Sequence, residues 1–277
     1  MRSAVAFLLL LVGVVLVPVA AAGRWGYDVV VPADGFVETV APLATSPAVV
    51  DEVEDRLTTA TTSRITQSTG VEGAQVEPLV RVAVRQAIAD PAYARVWRSS
   101  TRDVHRQLLV VLRADTSTTG SVGLSLAPLS DVVRRELVSA GIPFADQLPT
   151  VRATVPLAPS ADLARARGVF EVLEAWGPVL PFVAAVLLAL GVLLARRRAS
   201  ALARACLGVL LGLGLLAVVV LAARVAAAEA LPSLPTPVAR AVFDTLVAGL
   251  WRDIALVAVG ALVVLLGSVL VTRGTRR

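Results

Sequence analysis

The chain has 277 residues, 56% of them hydrophobic, and a formal net charge of +5. That apolar share is above what a soluble domain of this length carries. With one cysteine (Cys206), one histidine (His105) and no asparagine, the sequence excludes an intramolecular disulfide, a cysteine-based metal site, a histidine cluster and an N-glycosylation sequon.

The charge is unevenly distributed. Arg2, Arg196, Arg197, Arg198, Arg204, Arg273, Arg276 and Arg277 flank or join apolar runs and have no acidic residue among them. The other segments hold 18 arginines against 21 acidic residues, a net of −3. The excess positive charge is therefore a topology signal, because cationic loops stay on the cytoplasmic side. Nucleic-acid binding is not expected.

Residues 1–23 open with Arg2 and continue as an apolar run from Ala4 to Ala22. Pro18 and Ala20-Ala21-Ala22 before Gly23 resemble a signal-peptide cleavage site, whereas the length of the run and Trp25 beyond it favour a membrane anchor. Either reading places residue 24 onward outside.

Residues 24–177 are the polar part and are long enough for one extracytoplasmic domain. Ser46-Pro47 reads as a cap followed by proline in the first turn, opening a helix to about Ile65. After a polar break at Gln67–Gly73, Val76, Leu79, Val80, Val84 and Ile88 recur at helical spacing through Ala89. Asp90-Pro91 repeats the cap signal and opens a third helix to about Ala114. Residues 115–120 read as a Ser/Thr-rich loop. Val122, Leu124 and Leu126 alternate as in a strand over 121–127; Ser130–Ala140 reads as a short helix, and 151–157 as a second strand. The two strands are expected to pair as a small ribbon covered by helices. Ser160 caps a helix over Ala161–Trp176.

Residues 178–223 hold two apolar runs, Pro178–Ala195 and Ala205–Ala223, joined by the arginine-rich turn. Each is close to the length needed to cross about 30 Å of hydrocarbon at 1.5 Å per residue. Residues 224–253 return outside, with Pro232, Pro235 and Pro237 in an irregular link. An interfacial helix follows, its apolar stripe at Val238, Val242, Leu246 and Leu250. Residues 254–277 hold the last span and a short cytoplasmic tail. The expected fold class is mainly α: four transmembrane helices and an extracytoplasmic helical domain carrying a small two-stranded β ribbon. Both termini are then cytoplasmic.

Four features stand out as candidate sites. Arg95, Arg98, Arg102 and Arg106 follow spacings of three and four and form one ridge of the third helix, a candidate contact for anionic headgroups or an acidic partner. The alternative is a solvated face paired with Asp103, Glu72 or Glu77. Gly208 and Gly212 form a GxxxG sequence suited to close helix approach. Trp25, Trp176 and Trp251 fall at the outer ends of spans as candidate interfacial anchors. His105 could serve acid–base chemistry, but no nucleophile or orienting carboxylate accompanies it, and a packing or surface histidine is the plainer reading. The apolar runs contain no Asp, Glu or His, which argues against a conducting pathway in this chain alone. No Walker A, G-x-S-x-G, H-E-x-x-H or S-x-x-K sequence is present, and no cofactor is expected.

The order of these pieces resembles a group of uncharacterised actinobacterial integral membrane proteins. The resemblance rests on Val96-Trp97-Arg98 with His105 and Leu108-Leu109, on Gly123 to Leu129, on Ala161 to Arg167, and on Ala241 to Leu246. It covers most of residues 45–271 and implies an N-terminal span, a helical extracytoplasmic domain and three C-terminal spans. It implies no catalytic residue, and the loop at 115–120 is shorter than the group's pattern. The expected function is that of a non-enzymatic cell-envelope protein whose ectodomain binds a protein or envelope ligand. Its partners would be the lipid bilayer and a membrane protein or a second copy of itself. The alternatives are an accessory subunit of a transporter or channel complex and, third, an envelope lipid or cell-wall enzyme.

Overall fold

The computed structural model describes residues 2–113, 123–125, 154–156, 160–230 and 235–274. The chain divides into an apolar unit of residues 1–35, 168–233 and 246–277, and a polar unit of residues 36–167 and 234–245.

In the apolar unit, α1 (Arg2–Val30) carries Pro18 within it and continues eight residues beyond Ala22, the end of its apolar run. α6 (Ser160–Trp176) ends at Gly177-Pro178, and α7 (Leu180–Leu194) follows after a bend of 54°. Pro178 and Pro181 lack the N–H groups that a continuous helix would use, so the chain turns there. α7 has only 15 residues, about 22 Å of helix; it crosses a bilayer only if the bent pair counts as one span. α8 (Arg198–Ala230) and α9 (Thr236–Gly274) follow. Among the described residues, three helices are thus long and apolar enough to span a membrane, or four with the bent pair. Leu8, Val15, Phe182, Leu211, Leu215 and Val259 are all exposed. Side chains of this kind facing outward all round a bundle suit a lipid solvent and would be costly in water. The chain is a multi-pass membrane protein by this criterion.

Small residues let these helices approach. A Cβ on Gly13 would stand 2.9 Å from the Leu188 side chain, and one on Gly191 would stand 2.7 Å from Leu10. α1 and α7 therefore interlock through reciprocal glycine–leucine contacts. Ala20, Ala184, Ala201 and Leu213 are buried in the same unit.

In the polar unit, α2 (Ala33–Val40) leads through a 3₁₀ turn (Ala41–Thr45) into α3 (Pro47–Thr69). Gly70 ends α3 at φ 71°, a left-handed conformation that glycine adopts without a Cβ penalty. α4 (Gly73–Ala89) folds back along α3, and α5 (Pro91–Arg113) follows. At Asp90 the cap forms: Oδ1 accepts from the Ala92 N–H at 2.6 Å. At Ser46 the proline occupies the first turn, but the serine side chain makes no capping bond. Leu43, Val49 and Val238 are buried together, with Val53, Trp97 and Val242 packed around them.

Two expectations change. The ribbon over 121–127 and 151–157 is corrected: among the described residues strand geometry covers Gly123–Ser125 and Thr154–Pro156, antiparallel, with Leu124 opposite Val155. Pro156 has no ladder donor, and three residues per strand are too few to form a layer of the fold. The class is mainly α rather than helices plus a ribbon. The expected loop at 115–120 and helix at Ser130–Ala140 lie outside the described residues. The second change is at the C-terminal end. The expected interfacial helix does not stop before Ile254; α9 runs unbroken from Thr236 to Gly274. Val238 and Leu250, placed on a membrane-facing stripe by sequence, are buried against protein at 7% and 2% exposure.

Candidate partner-binding face

The arginine ridge lies on α5. Its packing side is fixed at several points. The Trp97 indole N–H donates to the Val40 carbonyl at 3.2 Å. Tyr93 tilts against Trp97, with ring centroids 6.2 Å apart, and burial pushes its phenol pKa upward. His105 is 1% exposed and stacks on Phe36 at 4.9 Å between centroids. It is a core side chain.

With those side chains holding one face of α5, Arg95, Arg98, Arg102 and Arg106 are all exposed. Arg106 reaches Asp103 at 3.2 Å across one helical turn. Such an exposed pair contributes about 0.3–0.5 kcal/mol and leaves the face strongly cationic. Glu77, a sequence candidate to neutralise the ridge, is instead engaged by Arg81 at 3.1 Å on its own helix. Four exposed guanidiniums thus share one helix that is anchored by an indole and an imidazole. Their chemistry suits carboxylates or phosphates in bidentate contact.

Sequence reasoning missed the charge ladder between α3 and α4. Glu54 is buried and accepts from Arg85 at 2.7 and 3.2 Å, while Arg81 bonds Asp55 at 2.7 Å. The Arg85 hydrogen bond lowers the Glu54 pKa despite the opposing cost of burial. Arg56 pairs with Glu52 beside them. Partners 26 and 31 residues apart carry no local spacing signal; only the register of the α3–α4 hairpin brings them together.

The other singled-out residues lie in the apolar unit. A Cβ on Gly208 would meet Val14 at 2.8 Å, and one on Gly212 would meet Pro18 at 3.3 Å, so both glycines face α1. Trp25 donates its indole N–H to the Leu246 carbonyl at 3.0 Å and lies beside Gly249, which makes it a clamp between α1 and α9. Trp176 and Trp251 are exposed at 54% and 36%. Among the described residues no three His, Cys, Asp or Glu side chains gather where they could hold a metal ion. Comparison with family models, curated proteins and solved structures finds no match to this chain.

Proposed function

We propose that this is a non-enzymatic integral membrane protein of the cell envelope whose polar helical unit binds an acidic protein or envelope ligand through the arginine face of α5. The observation that supports the reading is the exposure of Arg95, Arg98, Arg102 and Arg106 together on a helix held in place by Trp97 and His105. In this reading the polar unit is extracytoplasmic, the turn at Arg196–Arg198 and both termini are cytoplasmic, and the bent α6–α7 pair is one of four spans. The resemblance to the actinobacterial membrane proteins is part of the same proposal.

The test is in-cell cross-linking from residue 99, beside the ridge, followed by mild-detergent purification and mass spectrometry. A stoichiometric partner lost from the R95Q/R98Q/R102Q/R106Q variant is the expected result. The same partner retained by that variant would remove the ridge from the account.

A second reading, an accessory subunit of a transporter or channel complex, is favoured by a groove of about 660 Å³ among α1, α7, α8 and α9. It is lined almost wholly by apolar side chains, among them Val17, Leu188, Leu193, Val257 and Val264. A partner that cross-links from Val257 rather than from residue 99 would select this reading.

A further inference from the structure

The turn between α7 and α8 does more than carry charge. Beside it lies a cavity of about 680 Å³, within the size range of about 300–1,000 Å³ usual for ligand sites. Arg196, Arg197 and Arg204 line one part of it, and Phe7, Leu10 and Val14 of α1 line another. Among the described residues, no carboxylate is in the lining. The Arg204 Nε–H donates to the Ser200 carbonyl at 3.0 Å, and the Ser200 hydroxyl to the Arg197 carbonyl at 3.0 Å. These bonds hold the turn and leave the terminal amino groups of Arg204 available to a ligand. The first N–H groups of α8 add partial positive charge at the same end.

We infer that this cavity binds one glycerophospholipid with a net negative headgroup. Three guanidiniums lining one cavity match a phosphodiester, whose oxygens accept paired N–H donors. A choline or ethanolamine headgroup would add a cation to a site that already has three. The apolar wall formed by α1 selects a lipid over free phosphate: acyl chains lie along Phe7, Leu10 and Val14 while the phosphate meets the arginines. Basic pockets at the ends of membrane helices bind anionic headgroups by this division of labour. The site does not depend on which leaflet the turn occupies or on the proposed role of α5.

The test uses the full chain in nanodiscs of phosphatidylcholine containing phosphatidylglycerol, released into the gas phase for native mass spectrometry. The wild type should retain one phosphatidylglycerol in preference to phosphatidylcholine. R196Q/R197Q/R204Q should lower that retention at least tenfold. R198Q removes charge from the same turn but not from the cavity lining, so its retention should stay within twofold of wild type. An equal loss per charge in R198Q would reduce the effect to general surface attraction and overturn the site. So would displacement of the lipid by millimolar inorganic phosphate alone. Because the triple variant could misfold, wild-type protein is also labelled with a diazirine-bearing phosphatidylglycerol. Cross-links concentrated on residues 4–14 and 195–208 are expected, and labels spread evenly over the spans would contradict the inference.

Discussion

Gly177 shows how closely the apolar unit is fitted at the level of single atoms. A Cβ there would stand 2.5 Å from the Leu173 carbonyl oxygen, 2.6 Å from the Tyr27 Cβ and 3.1 Å from the Gly23 carbonyl. Two of these are backbone atoms that cannot move aside. Gly177→Ala should therefore lower stability by about 1–3 kcal/mol through overpacking, whereas Gly214→Ala and Gly260→Ala, with nothing within 4 Å, should be close to neutral. Thermal unfolding of detergent-solubilised protein reads the contrast. Glu54 gives a second prediction. Its folded-state pKa is lowered, so the stability it contributes is present above the ordinary glutamate value near 4.5 and is lost as pH falls through the folded value. Arg85 is largely exposed, so the pair is discounted for solvent. Glu54→Gln should cost about 1 kcal/mol at pH 7, and the gap to wild type should close as pH is lowered below 4.5. A gap independent of pH would assign the effect to packing. Neither residue announces itself in sequence: Gly177 is one of 19 glycines, and Glu54 one of 21 acids.

At the scale of elements, local signals read well where they act locally. Pro47 and Pro91 begin α3 and α5, and of the periodic stripe on α4 Val80 and Val84 are each 2% exposed, whereas Leu79 is 71% exposed. Signals that depend on what lies opposite read less well. Ser46 and Asp90 look alike as caps, yet only Asp90 makes the side-chain bond. Asp90→Ala should cost about 1 kcal/mol in the melting experiment and Ser46→Ala much less. Equal costs would show that the capping bond is not the difference. The stripe of Val238, Val242, Leu246 and Leu250 suggested a helix on the membrane surface because an apolar stripe does not say what covers it. The structure covers Val238 with Leu43 and Val49. Trp25 was similar: an amphipathic ring at the end of a span suits an interface, but its N–H is used by the Leu246 carbonyl. Trp25→Phe should lower stability by about 1 kcal/mol through loss of that bond, with no change if the ring serves only the headgroup region.

At the scale of the whole chain, the protein divides into an apolar and a polar unit. Large exposed aliphatic side chains mark the apolar unit, and ion pairs such as Arg81–Asp55 mark the polar one. The apolar runs were legible because length and hydropathy decide membrane insertion almost alone. The arginine face of α5 was legible because spacings of three and four fix a ridge on a helix. The arginine-lined cavity was not, because a basic turn gives its charge in sequence but not the wall of α1 against which it rests.

The topology proposed above makes the polar unit extracytoplasmic and the Arg196–Arg198 turn cytoplasmic. The lone cysteine makes this directly measurable. In a Cys206→Ala background, cysteines introduced singly at Thr101 and Ser200 can be reacted in intact cells with a membrane-impermeant maleimide. The account predicts labelling from Thr101→Cys in intact cells and from Ser200→Cys only after the membrane is opened. Labelling of both in intact cells, or of Ser200→Cys alone, would contradict it.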